Sequence, residues 1–220
     1  VGEGARLSGN DVSLKAENDL QHTAITFGGG KAANQGITGM FAYMEGQSNS
    51  IISVDDEASI SAAKKVALDA NNNTTISNII FDRTSAGGTA MGASIGIVDY
   101  KVNNIAAVAG EANGKVKITA NAVEVNAKTS GTITGVSVAG VTAGASQPNN
   151  RGTGSGFNIP GQIAGAGSAS VNEISGNTAA LLEGVEVTTA GTDRDVKVSA
   201  SDDSMIGAYS GAAALKKKGR

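Results

Sequence analysis

The sequence predicts an all-β fold, a parallel stack of strands built from repeats of about 55 residues. Three observations predict it. First, one pattern occurs four times: two apolar residues at alternate positions, an alanine two places on, and a late position six residues after that alanine. The copies are Val12-Ser13-Leu14-Lys15-Ala16 with His22, Val66-Ala67-Leu68-Asp69-Ala70 with Ile76, Val123-Glu124-Val125-Asn126-Ala127 with Ile133, and Val196-Lys197-Val198-Ser199-Ala200 with Ile206. Second, the spacing is nearly constant. The first valines lie 54, 57 and 73 residues apart, and the last interval falls to 56 once the 17 turn-forming residues 146–162, which hold both prolines, are taken out as an insertion. Self-similarity at a fixed period with an insertion at one junction is the signature of a repeat stack. Third, the chain has 31 Gly, no Cys, no Trp and only 4 Phe and 3 Tyr in 220 residues. A compact globule of this size recruits more large side chains, whereas thin stacked layers need only small and β-branched ones.

Taken in order, residues 1–10 are Gly-rich and complete a partial layer. Residues 11–16 alternate apolar and polar, as a strand with one buried face requires. Glu17-Asn18-Asp19 reads as a turn, residues 24–27 as the next strand, and Gly28-Gly29-Gly30 as its close. Residues 31–46 are ambiguous, because Ile37, Met40, Phe41 and Met44 also fit helical spacing. Strand character returns at 51–54 and 58–63 around the acidic turn Asp55-Asp56-Glu57. Asn71-Asn72-Asn73 starts a turn before the strand 76–81. Small-residue alternation then runs through 93–98 and 102–108, a turn at 110–114 precedes 116–120, and residues 131–145 carry β-branched residues at alternate positions, which makes them strand. After the insertion, residues 165–190 parallel 92–120 in order and character. Domain limits follow: 1–214 is a single β-helix repeat fragment with a loop insertion at 146–162, and 215–220 is a disordered basic tail.

Each unit of about 55 residues divides into three coils of about 18, close to one turn of a parallel β-helix, which would make a rod of roughly 50 Å along the stacking direction. The aligned Ala16, Ala70, Ala127 and Ala200 would share one corner too tight for a larger side chain. Unpaired strands at both ends of the stack would invite association.

Charge points to no partner. A net charge of -3 from 17 basic and 20 acidic residues supplies no field for nucleic acid. No apolar run is long enough to span a membrane as a helix. The absence of cysteine suits secretion without disulfides, and equally a cytosolic protein. The start at Val1 without a leader reads as a piece of something longer.

Residues 165–180 (GAGSASVNEISGNTAA), Val185-Glu186-Val187 and residues 195–214 (DVKVSASDDSMIGAYSGAAA) resemble the repeats of very large filamentous adhesins, especially those of the fusobacterial leukotoxin type. The resemblance is close over 165–214 and looser over 11–145. It implies a right-handed parallel β-helix, export through an outer-membrane partner transporter (two-partner secretion), and display on or release from a Gram-negative surface. It also implies contact with host cells, and for the leukotoxin type toxicity to white cells, making such repeats part of virulence.

Chemical sites are sparse. His22 is the only histidine and occupies a slot that is Ile elsewhere, a tolerated substitution rather than a catalytic group. Asp55-Asp56-Glu57 and Asp202-Asp203 could hold calcium, but as isolated turns without the Gly-Gly-x-Gly-x-Asp pattern they read as solvated acids. Asp193-Arg194-Asp195 could supply a glycosidase acid pair only if further carboxylates stacked beside it. Gly28-Gly29-Gly30-Lys31 lacks the spacing and the Ser or Thr of a phosphate loop. Asn72 and Asn73 match glycosylation sequons of the kind Asn-rich turns produce by chance. No catalytic residue, cofactor or metal is expected. The insertion is the candidate contact loop, through Arg151, Phe157 and Ile159, because an excursion from a regular stack is not needed for burial. The reading is therefore an adhesive scaffold and not an enzyme. The alternatives are a polysaccharide-degrading β-helix enzyme of the tailspike or pectate-lyase kind, and a trimeric autotransporter head, whose repeat is much shorter.

Overall fold

The structure, a computed structural model, describes residues 1–110, 115–144, 163–191 and 194–216. It is all-β, with no helix among these residues. In chain order the strands are β1 (Arg6–Ala32), β2 (Gln35–Val54), β3 (Ser59–Ala86), β4 (Thr89–Ala109), β5 (Val116–Ala120), β6 (Ala122–Ala143), β7 (Ala164–Glu183), β8 (Val185–Thr189) and β9 (Val196–Lys216).

They form two sheets in which every pairing is parallel. In the first, β1 lies beside β3, β3 beside β5 and β6, β5 beside β8, and β6 beside β9; in the second, the order is β2-β4-β7. The chain alternates between the two sheets, with β5–β6 and β8–β9 following one another end to end in the first, so one passage through each sheet makes a layer. Junctions between the sheets are short at Ala33-Asn34 and Gly87-Gly88 and long only between Ala143 and Ala164. That long junction contains the insertion expected at 146–162, which with Arg151, Phe157 and Ile159 lies outside the described residues.

Register bears out the alignment of the repeat residue by residue. Val12 faces Val66, Val66 faces Val123 and Val123 faces Val196; Ala16, Ala70, Ala127 and Ala200 follow in one column, and His22, Ile76, Ile133 and Ile206 in another. The expectation of three 18-residue coils per repeat is wrong. Residues 54 apart, such as Gln35 and Thr89, are adjacent partners, so a whole repeat is a single layer. Four strands about 4.8 Å apart give a stack some 15–20 Å deep, not a 50 Å rod, and the long axis runs along strands of up to 28 residues.

The expected turns at 17–19, 28–30 and 71–73 are also absent, since β1 and β3 run straight through them. Turn propensity loses there because the ladder satisfies the backbone and the interior takes the side chains. Asn72 is buried, accepting from Ser48 Oγ and Thr74 Oγ1 at 2.9 Å each, while Asn73 Nδ2 donates outward to Asp19 Oδ1 at 3.0 Å. Gly28 is inward beneath the Met40 side chain, where a Cβ would come within 2.0 Å of the sulfur. The helical option at 31–46 resolves as strand: Ile37, Phe41 and Tyr43 face solvent at odd positions while Met40 and Met44 turn in. β9 continues through Leu215 and Lys216, partners of Thr142 and Ala143, so the pairing reaches two residues into the expected tail.

Between the sheets the core is stratified along the strands. A large apolar cluster (Val54, Ile60, Val66, Leu68, Val108, Ile118, Val123) fills one end, a second centres on Ile76, Val98, Tyr100 and Ile133, and a small one on Ala86, Ala90, Val141 and Ala143 closes the other end. Polar seams separate them. In the first, Asn18 Nδ2 donates to Ser48 Oγ at 2.5 Å, Asn104 Nδ2 to Thr129 Oγ1 at 3.2 Å, and Thr129 meets Thr178 at 2.7 Å. In the second, Thr38 Oγ1 donates to the buried Asp82 carboxylate at 2.9 Å and contacts Thr84, and Ser137 donates to Ser94 at 2.8 Å.

Candidate functional site

Because β residues alternate between faces, each outward residue forms a column with its counterparts on neighbouring strands. The outer face of the second sheet carries one column that is acidic throughout: Glu45 faces Asp99, and Asp99 faces Glu173. Tyr43 stands beside it and donates from its hydroxyl to Glu45 Oε2 at 3.2 Å. Desolvation, then the charges of Glu45 and Asp99, push the Tyr43 phenol up from its ordinary value. The strands that carry them are about 4.8 Å apart, a spacing comparable to the carboxylate separation of a retaining glycosidase pair. The column lies on an open face, and no group of three His, Cys, Asp or Glu side chains among the described residues is arranged to hold a metal.

The outer face of the first sheet carries aromatic and aliphatic columns. Phe27, Phe81, Val138 and Gly211 form one, with the two phenyl rings stacked at 5.3 Å and 11° between planes, and Ile25, Ile79, Val136 and Tyr209 form the next. With Arg83, Val141 and Leu215 the phenyl rings border a groove of about 460 Å³.

The residues singled out from sequence do not converge. His22 is exposed on the edge strand β1, in the column of buried Ile76 and Ile133. Asp55-Asp56-Glu57 closes the β2–β3 turn, where Ser53 Oγ donates to Asp55 Oδ1 at 2.5 Å, Gly4 N donates to Asp56 O at 2.9 Å and Glu57 adopts φ 60°. Asp202 accepts from Ser204 N at 2.9 Å on its own strand and from Thr178 Oγ1 of β7 at 3.5 Å, and Asp203 accepts from Ser201 Oγ at 3.4 Å. Arg194 Nε donates to Gly191 O at 2.9 Å, and Asp193 lies outside the described residues. Lys31 is an exposed strand residue beside Gly30, with no phosphate loop around it. Asn72 is 1% exposed, which shuts its sequon, while Asn73 remains on the surface. The Glu45-Asp99-Glu173 column was missed, although it follows the offsets of the repeat; aligning outward residues as well as apolar ones finds it.

Comparison with protein-family models, with curated proteins and with solved structures found no match.

Proposed function

We propose that this chain is a structural and adhesive segment of a secreted bacterial filament, a right-handed parallel β-helix of the filamentous-adhesin or leukotoxin kind. The observation that supports it is the register: repeats of about 55 residues stack one upon another with like residues in columns. Such a geometry extends by adding layers, and it presents long lateral faces without making or breaking a bond. On this reading the partners are the host cell surface, leukocytes included, and the outer-membrane transporter that exports the parent protein. The protein works at the bacterial surface or after release. The test is saturable binding of the labelled chain to leukocytes. Binding competed by unlabelled chain supports the reading, and no binding to host cells contradicts it.

The acidic column favours a second reading, a glycan-cleaving β-helix enzyme in which two of Glu45, Asp99 and Glu173 serve as acid and nucleophile or base. Release of reducing ends or unsaturated sugars from polysaccharide, abolished by Asp99→Asn, would establish that reading in place of the scaffold.

A further inference from the structure

The two ends of the molecule differ in polarity. At the end that holds the β2–β3 turn, apolar residues fill the interior and both acids and lysines decorate the outside. At the other, where β1 turns into β2 and β3 into β4, polar residues share the interior with Ile80, Val141 and a few alanines: Thr38, Asn78, Asp82, Thr84, Ser94 and Ser137, the last five of them buried. The outside there is apolar. Phe27 is 72% exposed, Ile37 78%, Phe41 63%, Tyr209 63% and Leu215 63%. An apolar outer face of this extent over a partly polar interior is the pattern of a surface that meets lipid rather than water.

Charge narrows the partner. On the first sheet, residues 21–32, 75–86, 132–143 and 205–216 contain one carboxylate, Asp82, and it is turned inward. The same face bears two exposed cations, Lys31 and Arg83, whereas Lys216 continues the inward column of Ala86 and Ala143. Among the described residues neither Lys31 nor Arg83 has an acidic partner. Two copies packed through this face would bring like charges together with nothing to neutralise them. An anionic lipid surface offers both complements, phosphates for the cations and acyl chains for Phe27, Phe81 and the groove they border.

We propose that this end of the molecule docks on anionic lipid through the outer face of the first sheet, with Phe27, Phe81 and Tyr209 entering the interface and Lys31 and Arg83 meeting headgroups. Docking is peripheral, because the open edges of β1 and β9 cannot cross hydrocarbon with their backbone groups unpaired. This goes beyond the scaffold reading and does not depend on it.

The test is flotation of the full chain with phosphatidylcholine vesicles and with phosphatidylcholine–phosphatidylserine vesicles, at low and high salt. The expected result is recruitment by the anionic vesicles, release by salt, and weak recruitment by neutral ones. Each Lys or Arg near such a surface contributes about five-fold in partitioning, so Lys31→Glu with Arg83→Glu should lose more than about 25-fold. Phe27→Ser with Phe81→Ser should lose more than about ten-fold. Four results would overturn the proposal: no recruitment of the unmodified chain by anionic vesicles, recruitment indifferent to salt, variants that float as well as the parent, or a lipid-free dimer in sedimentation that Phe27→Ser with Phe81→Ser dissociates. The salt series needs no variant and so stands even where a substitution fails to fold.

Discussion

At the residue scale, Gly131 and Gly176 have backbone conformations that other residues resist, at φ 136° and 144°, and a Cβ on either would lie within 2.0 Å of the partner strand's carbonyl oxygen. Gly131→Ala should therefore cost about 1–3 kcal/mol in urea unfolding. Gly39→Ala, whose Cβ would meet nothing within 4 Å, should be neutral or stabilise by up to about 1 kcal/mol through the unfolded chain. Equal effects would contradict this geometry. Lys65 donates to Glu124 at 2.7 Å, and that hydrogen bond, with the Lys65 charge, holds the Glu124 carboxyl below its ordinary value against a smaller push from burial. A lowered folded pKa contributes stability above the unfolded value and loses it as pH falls through the folded one. Both groups are substantially exposed, so the contribution is a few tenths of a kcal/mol. Lys65→Ala should be less stable by about that much at neutral pH, and the two stability curves should converge in acid.

At the scale of elements, the columns decide what the sheet tolerates. Asn126 Nδ2 donates to Asp69 Oδ1 at 2.8 Å and Asn103 Nδ2 to Asn49 Oδ1 at 2.9 Å, polar ladders that pair donor with acceptor. The Glu45-Asp99-Glu173 column sets like charges opposite one another, which destabilises. Asp99→Lys should raise stability by about 0.5–1 kcal/mol at low salt and by less at high salt, as thermal unfolding at two ionic strengths would reveal. Alternation in Val12-Ser13-Leu14 and in Val123-Glu124-Val125 was legible because a period of two is a local signal. The strand ends were not. Asn71-Asn72-Asn73 has the composition of a turn, and only the neighbouring strands, with Ser48 across the core, show why it stays extended.

At the scale of the whole molecule, the spacing of Val12, Val66, Val123 and Val196 fixed which residues share a column, and the 17-residue excess fell at the junction where the long connection lies. What spacing alone could not fix was how much chain one layer uses. A period of 54 is compatible with three coils of 18 or one of 54, and the choice depends on whether the polar stretches turn or run straight. The exposed apolar columns of Phe27 and Ile25 were likewise hidden, since alternation is the same whether the apolar set faces in or out. The measurement that tests the layer arrangement most directly uses paired cysteines, against a chain with none of its own. Ser77 and Thr134 are register partners on the outer face, within reach of a disulfide if one repeat is one layer. Ser77→Cys with Thr134→Cys should cross-link under mild oxidation and Ser77→Cys with Ile95→Cys should not, because residue 95 belongs to the opposite sheet. Cross-linking of the second pair and not the first would contradict the layer arrangement and restore coils of about 18 residues.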